Sequence, residues 1–554
     1  MLCLLTSAAS CQSNLLQITS VVLNFRFKMF VHDNYVRGNE NIQVPAHLNF
    51  GKYILDKIKL RNDEIALENS DTGEKLTYKE FTQYAVNLST LLTKLGVGRG
   101  DTVAVGSEKR NEFVPTVLGI VFTGATYTPY DLKSGRAALK HKLSVAKPKY
   151  FICSHTFWTM YSDILKSFDC IHKLFTLDDA MDDGVSIKSL ILSDVDVNRF
   201  EPASVHGQID TAFILYSSGT TGMPKGVQLT HLNCILNSLP DDFSDESLKT
   251  AFLFGEWYHN YDTFMTYKFL ALGRKIVYVN HATPESFLKS VENNQVNIAF
   301  VVPSLVGYLS KADDAEKYNL SSLHTIYSRS SPLHSKTIKT VKSRFPKLKN
   351  ILQGYGMTEA GELTSESWGT KGSKLGSVGM ASPGITLKVV DSETRKILGP
   401  NERGEICLRG PVFMKGYVGV DPSIYLDEEG FFKTGDLGYY DEDRYFYIVD
   451  RMKEIIVYDG YKVAPLELET ILQSHPEVYE AGVVGKPVPD YGEEPTAFVV
   501  RQPGSNVTEK ELIDYVSTEV PPYMQLRGGV NFIEKLPRNP RGKILRHQLR
   551  NMLN

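Results

Sequence analysis

A cluster of glycine, serine and threonine residues follows an apolar run in the first half of the chain and ends at a lysine. The run Ala212-Phe213-Ile214-Leu215 predicts a buried strand, after which the chain reads Tyr216-Ser-Ser-Gly-Thr-Thr-Gly-Met-Pro-Lys-Gly-Val227. Glycine permits close approach of the backbone, and amide, hydroxyl and ammonium donors together suit a polyphosphate. Because Gly226 rather than Ser or Thr follows Lys225, the string is not a Walker loop.

A flexible surface turn is the alternative interpretation of this string, because clusters of Ser, Gly, Thr and Pro usually mark loops. The length of the string and its Lys-Gly end favour a phosphate-binding loop. The predicted phosphate contacts are Ser217, Ser218, Gly219, Thr220, Thr221, Gly222 and Lys225.

Four more segments follow in the second half of the chain. They read Gln353-Gly-Tyr-Gly-Met-Thr-Glu359, Lys433-Thr-Gly-Asp-Leu437, Asp450-Arg-Met-Lys453 with Gly460-Tyr-Lys-Val-Ala-Pro465, and Pro537-Arg-Asn-Pro-Arg-Gly-Lys-Ile-Leu545. Together with the loop they resemble the adenylate-forming superfamily, which contains acyl-CoA synthetases, 4-coumarate:CoA ligases, beetle luciferases and the adenylation domains of peptide synthetases. The resemblance extends from about residue 45 to the end, and the chain looks most like an insect luciferase-like acyl-CoA synthetase.

The resemblance implies an ATP site. Its predicted contacts are Gln353, Gly354, Tyr355, Gly356, Asp436 and Arg451. Tyr355 lies between two glycines and offers an aromatic face to adenine, although a core tyrosine is the alternative. Asp436 is expected to accept from the ribose hydroxyls, with Arg451 supporting the same end of the nucleotide. Without the surrounding segments, an Asp after Gly would be an ordinary turn residue.

The resemblance also implies the catalytic groups. Thr358 and Glu359 are expected to contact phosphate and Mg²⁺, a hard cation that takes oxygen ligands. Lys543 is expected to stabilise the charge that develops when a carboxylate attacks the α-phosphate; alone, it would be one more solvated lysine. His259 is a candidate for orienting the acid, and Lys453 lies at the hinge around which the small domain swings.

The implied reaction has two steps. A carboxylic acid and ATP give an acyl-adenylate and pyrophosphate, and coenzyme A then displaces AMP. The predicted partners are therefore the acid, ATP with Mg²⁺, and CoA as co-substrate.

Four positions, in three segments, depart from the pattern of the superfamily. Tyr258 stands where relatives often have the first histidine of a His-His pair. Arg329 and Ser330 stand where many members have glycines, which implies a reshaped and more polar acid pocket. Val457 replaces a lysine that ligases and luciferases of this type commonly have, which puts efficient thioester formation or light emission in doubt.

These departures leave alternatives to an acid:CoA ligase open. A luciferase-like monooxygenase is one of them. Membership of a peptide synthetase is disfavoured because no carrier domain follows residue 554. A degenerate nucleotide-binding homologue without turnover is favoured by Arg329 and Val457, and is disfavoured by the retention of Lys225, Glu359, Asp436 and Lys543.

Apolar runs that predict strands alternate with segments whose apolar residues have helical spacing, and this alternation predicts an α/β fold. Residues Phe81, Tyr84, Ala85, Leu88, Leu91 and Leu92 recur at helical intervals, and the apolar runs at 102–105, 275–279 and 298–302 are typical of buried parallel strands. After Ser377, short strands separated by Gly and Pro indicate a β-rich subdomain, which residues 446–451 close. We predict a leader of uncertain role at 1–44, a large N-terminal domain at 45–449 that binds ATP and acid, and a small mobile α+β domain at 450–554. A helix is expected at 465–474 and another near 509–518.

Composition narrows the class of protein. The chain has 554 residues and a formal net charge of -3. It therefore lacks the excess of positive charge that is expected of a nucleic-acid-binding protein. Its six cysteines include no CxxC pair, so neither a disulfide framework nor a zinc site is indicated. The sequence has no transmembrane run, and its C-terminus is not of the Ser-Lys-Leu type. We expect an intracellular, cytoplasmic protein, with a peroxisomal location as the alternative.

Overall fold

The computed structural model describes residues 34–38, 42–132, 135–179, 185–190, 195–217, 223–239, 245–329, 333, 335–367, 373–489, 491–538 and 543–553. Sheets and helices alternate through the first part of this range, and another sheet with its own helices follows residue 455. The predicted α/β class is confirmed. Most of the predicted leader lies outside the described residues, but the strand Val36–Arg37 pairs with Thr386–Val390.

Most of the parallel strand pairs belong to two large sheets. In spatial order, one runs Gly416–Tyr417, Lys225–Thr230, Thr211–Ser217, Thr126–Tyr130, Thr102–Gly106, Tyr150–Cys153, Lys173–Thr176 and Val185–Ser186. The other runs Met380–Ala381, Gly361–Ser365, Asn350–Met357, Thr325–Ser328, Ile298–Val301, Thr250–Leu253, Lys275–Tyr278, Ile65–Asn69 and Lys75–Thr77. The central strands of both are parallel, as predicted.

Two further sheets are largely antiparallel. One runs Val36–Arg37, Thr386–Val390, Gly404–Arg409, Phe432–Tyr440 and Phe446–Arg451. The last sheet runs Tyr461–Val463, Ile456–Tyr458, Gly492–Arg501 and Val478–Val488, with Val530–Phe532 parallel to Gly492–Arg501.

Helices cover the sheets. The α-helices are Phe50–Ile58, Tyr78–Lys94, Phe113–Phe122, Arg136–Ala146, His155–Lys166, Ile187–Leu190, His231–Asn237, Asn260–Ala271, Pro284–Asn294, Pro303–Lys311, Ser335–Arg344, Pro465–Ser474, Glu509–Glu519 and Arg546–Asn551. Short 3₁₀ turns lie at Asp313–Lys317, Pro422–Ile424, Met452–Glu454 and Pro522–Met524. The helices predicted at 465–474 and near 509–518 are confirmed. No helix in the described ranges has both the length and the apolar character required to cross a membrane.

The helix Tyr78–Lys94 shows how capping residues and apolar residues at helical spacing specify a helix and its buried face. The Thr77 hydroxyl accepts from the Glu80 amide, and the Glu80 carboxylate accepts from the Thr77 amide, so two amides at the start of the helix are satisfied. Phe81 and Leu88, which recur at helical intervals, are fully buried. Burial of each such side chain contributes roughly 1.5–3 kcal/mol. This helix packs against Phe113–Phe122, whose residues are all buried.

Candidate active site

A cavity of about 900 Å³ lies where the sheets meet. Of the residues predicted from the sequence, those lining it are Ser217, Lys225, His259, Gly354, Gly356, Thr358, Glu359, Arg451 and Lys543. These residues come from segments that are hundreds of positions apart, so the fold brings the separate sequence motifs to one place.

Tyr355, Asp436 and Arg451 form a hydrogen-bonded group behind one wall of the cavity. The Tyr355 hydroxyl donates to Asp436 Oδ2 at 2.5 Å, and Arg451 Nε lies 2.7 Å from Asp436 Oδ1. Asp436 and Arg451 face each other across the ladder of strands Phe432–Tyr440 and Phe446–Arg451. Burial raises the pKa of Asp436, while the charges of Arg451 and Lys543 and the Tyr355 hydrogen bond oppose that rise.

Lys543 projects into the cavity from the C-terminal part of the chain. Loss of hydration around its ammonium and the charge of Arg451 lower the pKa of Lys543, and Asp436 opposes this effect. The residue nevertheless keeps an exposed surface, as expected for a side chain that reaches into an open cavity.

Two lysines of the first part of the chain hold the C-terminal sheet beside the cavity. Lys311 Nζ donates to the Val478 carbonyl at 2.7 Å, and Lys336 Nζ donates to the Ser474 carbonyl at 2.9 Å. Ser474 ends the helix Pro465–Ser474, where a cation is favoured by the exposed carbonyl groups. Two hydrogen bonds therefore join the first part of the chain to the C-terminal part that carries Lys543.

Lys453 and Val457 lie away from this group. Lys453 is exposed in the 3₁₀ turn Met452–Glu454, which joins the strand Phe446–Arg451 to the C-terminal sheet. Val457 is 45% exposed on the strand Ile456–Tyr458. Neither residue lines the cavity in this arrangement.

The side of the cavity that is predicted to bind phosphate is built on a hairpin. Lys225 lies directly opposite Ser217 in the antiparallel pair Thr211–Ser217 and Lys225–Thr230. Both residues line the cavity, and the Lys225 ammonium lies 5.0 Å from the centre of the Tyr417 ring. The other predicted loop contacts, Ser218, Gly219, Thr220, Thr221 and Gly222, lie outside the described residues.

Glu359 faces the same side as Lys225. Glu359 is buried and Oε1 accepts from the Tyr417 hydroxyl at 2.7 Å. The neighbouring Thr358 is fixed through its carbonyl, which accepts from Asn260 Nδ2 at 2.9 Å. A carboxylate beside the predicted phosphate site fits Mg²⁺, which typically binds through one or two carboxylates plus substrate phosphates. The sequence did not indicate Tyr417, because it lies 58 positions from Glu359 and outside every motif.

His259 immediately precedes the helix Asn260–Ala271 and lines the cavity. Its ring packs edge-on against Tyr258, with 4.4 Å between ring centres. Tyr258 therefore supports His259 from the position where relatives often have another histidine.

Gln353 and the two glycines after it shape the walls. The Gln353 side chain accepts from the Leu333 amide at 2.6 Å and donates to the Ser377 carbonyl at 3.1 Å, so it holds two chain segments together. A Cβ on Gly356 would lie 2.3 Å from the Gly361 carbonyl oxygen, which explains the need for glycine there.

Arg329 lies inside the cavity wall, where the pattern predicted a more polar pocket. It is 7% exposed, and its guanidinium lies 4.2 Å from the Tyr261 ring centre and 5.0 Å from that of Tyr327. It forms an ion pair with Glu362, which also lines the cavity. The sequence analysis missed Glu362, although its place three residues after Glu359 was a usable signal. Ser330, the other departure at this point, lies outside the described residues.

The fold and this clustering of motifs define a nucleotide-dependent enzyme class. Residues 56–418 match the AMP-binding enzyme family, and residues 467–543 match the AMP-binding enzyme C-terminal domain. The chain therefore belongs to the AMP-binding, adenylate-forming enzyme family, and the predicted resemblance is confirmed.

Individual relatives agree with this assignment. Luciferin 4-monooxygenase of Luciola mingrelica is 34% identical over 92% of this chain and 94% of its own length. The 4-coumarate–CoA ligase-like 9 of Arabidopsis thaliana is 35% identical over 87% of this chain and 86% of its own. Among solved structures, ATP-bound MatB from Rhodopseudomonas palustris is similar with a TM-score of 0.81 and 27% identity, over 91% of this chain and 98% of that one.

Proposed function

We propose that the chain is an AMP-forming acid:CoA ligase that activates a carboxylic acid as its acyl-adenylate. One observation carries the proposal. A single cavity is bordered by Lys225 and Glu359 on one side, by Arg451 with its partner Asp436 on another, and by Lys543 from the C-terminal part of the chain.

The nucleoside of ATP is proposed to lie at the Tyr355, Asp436 and Arg451 group. Adenine would pack on the Tyr355 ring, which is fixed in place by its hydrogen bond to Asp436. Both Asp436 oxygens already accept from the protein. A carboxylate has about four lone-pair sites, so it can also accept from ribose hydroxyls without losing these partners.

The polyphosphate is proposed to lie between Lys225 and the Thr358–Glu359 turn. Glu359 would hold Mg²⁺, with Thr358 contacting phosphate. The ion, when bound, neutralises charge on the phosphates and on the leaving pyrophosphate.

In the first step, a carboxylate oxygen of the acid attacks the α-phosphorus of ATP. The new bond is O–P, which completes a C–O–P linkage, and the bond from the α-phosphorus to the oxygen bridging to the β-phosphorus breaks and releases pyrophosphate. Lys543 is proposed to stabilise the charge on the α-phosphate oxygens, and His259 to orient the acid. A preorganised cation in a partly desolvated site is worth more than in water.

In the second step, the sulfur of CoA attacks the carbonyl carbon and forms the C–S bond, its thiol proton passes to solvent, and AMP leaves with the electron pair of the C–O bond. We propose that the C-terminal part turns about Lys453 between the steps, so that the strand bearing Val457 replaces Lys543 at the cavity. Val457 supplies no cation there, which supports adenylation without efficient thioester formation as the second candidate function.

Two measurements on the purified full-length chain test these proposals. Pyrophosphate release is followed with fatty, aromatic and short acids, and acyl-CoA is quantified in the same reactions. The ligase proposal expects both products from at least one acid, whereas the second candidate expects pyrophosphate with little acyl-CoA. Val457→Lys should then raise the ratio of acyl-CoA to pyrophosphate, while Leu60→Lys, at another exposed apolar position, should not. Absence of pyrophosphate with every acid contradicts both.

A further inference from the structure

The segment that carries Lys543 is closed by a short antiparallel bridge. Arg538 and Ile544 are opposite each other in this bridge, and the Leu545 amide donates to the Pro537 carbonyl at 2.8 Å. Lys543 directly precedes Ile544. A shift of the bridge relative to the rest of the C-terminal part would therefore move the Lys543 ammonium within the cavity.

Two contacts hold the bridge on the strand Val478–Val488. The first is apolar, because Ile544 Cδ1 lies only 3.6 Å from the place that a Cβ on Gly482 would occupy. The second is ionic, because Arg538 Nη2 lies 3.1 Å from Glu480 Oε1. Glu480 and Gly482 are two positions apart in the strand and so belong to the same face. Both sides of the bridge are thus attached to one face of this strand.

The ion pair lies at the edge of the cavity and is partly shielded from water. The side chains of Arg538 and Glu480 are 29% and 21% exposed, and both residues border the cavity together with Lys543. Ion pairs that remain in contact with water add little to the free energy of folding. The contribution of this pair is therefore expected in the orientation of the bridge rather than in stability.

Glu480 also acts on a cation of the first part of the chain. Lys311 ends the helix Pro303–Lys311, and its ammonium donates to the Val478 carbonyl, two residues before Glu480. Loss of hydration lowers the pKa of Lys311, and the negative charge of Glu480 opposes this fall. The Glu480 carboxylate therefore attracts one cation in each part, Lys311 in the first and Arg538 in the C-terminal part.

We propose that Glu480 is a positioning residue for adenylation, which holds Lys543 at the α-phosphate through its ion pair with Arg538. Lys311 favours the orientation in which this arrangement faces the cavity. The inference rests on the proposed function, because it assigns Lys543 to the attack of the carboxylate on the α-phosphorus.

Pyrophosphate release by the full-length chain tests the proposal, with ATP and an acid that the unmodified chain activates. Glu480→Gln keeps the size of the side chain and removes the charge that binds Arg538. It should lower kcat by about 10- to 100-fold, because misplacement of a catalytic group by about 1 Å costs up to about 100-fold in rate. The KM for ATP should change little, whereas a purely electrostatic effect of the lost negative charge would favour binding of ATP. Arg538→Gln removes the other half of the pair and should cause a loss of similar size.

Glu467→Gln is the matched control. Glu467 also forms an ion pair across the two parts of the chain, with 2.9 Å between Glu467 Oε1 and Arg403 Nη2. It belongs to the helix Pro465–Ser474 and not to the bridge. This variant should leave kcat unchanged. Thermal unfolding verifies that every variant is folded.

A double variant shows whether Glu480 acts through Lys543. In Lys543→Ala the group that Glu480 positions is absent, so the addition of Glu480→Gln should cause no further loss of pyrophosphate release. Two independent defects would instead multiply their losses.

The outcomes separate this inference from the proposed function. If the unmodified chain releases pyrophosphate but Glu480→Gln behaves like Glu467→Gln, the ligase proposal stands and the positioning role is wrong. A loss in Arg538→Gln without one in Glu480→Gln also overturns the role, as does multiplication of the losses in the double variant. If no acid releases pyrophosphate, the proposed function fails and the inference fails with it.

Discussion

Replacement of Lys543 by alanine should impair adenylation far more than thioester formation. Lys543 is expected to act only while it faces the cavity. Of the other cations that line the cavity, Arg451 lies 2.7 Å from Asp436, and Lys225 lies over the Tyr417 ring and is assigned to the polyphosphate. Neither replaces a lost ammonium at the α-phosphate. Removal of one such stabilising group costs about 100- to 1000-fold in rate, or about 2.7–4 kcal/mol.

The assay starts the reaction from two points. Acid with ATP requires both steps, whereas a synthetic acyl-adenylate requires only the attack of CoA. Lys543→Ala should lower acyl-CoA production from acid and ATP by the factor above, and should leave consumption of the adenylate near the unmodified rate. Lys510→Ala, an exposed lysine of the same part of the chain, serves as a control and should alter neither. Equal losses from both starting points would refute the assignment of Lys543 to one step.

Three other changes give measurable results. Asp436→Ala should weaken ATP binding by about 1.5–3 kcal/mol in calorimetry, because a charge-assisted hydrogen bond is lost; unchanged affinity would remove Asp436 from the ribose site. Arg329→Gly should extend pyrophosphate release to bulkier and more apolar acids, and an unaltered acid profile would contradict its place in the acid pocket. Burial raises the pKa of Asp262 from 3.8 to about 7, with Lys109 opposing and Glu256 reinforcing the rise. The folded state therefore retains a proton that the unfolded chain releases, and stability falls as pH rises from about 4 to 7. Asp262→Asn should remove this loss and gain roughly 2–4 kcal/mol at pH 7.5 relative to pH 4 in denaturant titrations; an unchanged pH dependence would contradict the shift.

Local patterns in the sequence predicted the elements well. The helix Tyr78–Lys94 has both a capping pair and apolar residues at helical spacing, so its position follows from local signals. The strand Val478–Val488 is longer than its apolar residues at 481–484 alone would indicate, since it continues through Lys486 and Pro487. Pairing with Gly492–Arg501 sustains it, and such long-range pairing overrides local preference.

The sequence identified individual residues of the candidate site but not the contacts between them. Motifs indicated Tyr355, Asp436 and Arg451 separately, and the fold joins them by hydrogen bonds across up to 81 positions. The Arg329–Glu362 pair could not be predicted, because only the packing of two strands brings these residues together. The charge of Arg329 indicated a polar pocket, but the sequence did not identify the residue that neutralises that charge.

Transfer of oxygen from the acid to AMP tests the central claim most directly. An acid that releases pyrophosphate is prepared with both carboxyl oxygens as ¹⁸O and incubated with ATP, Mg²⁺ and CoA, and the AMP is analysed by mass spectrometry. Attack of the carboxylate on the α-phosphorus predicts one ¹⁸O atom in each AMP, because the C–O bond of the adenylate breaks in the second step. AMP without ¹⁸O, formed together with acyl-CoA, would contradict an acyl-adenylate intermediate.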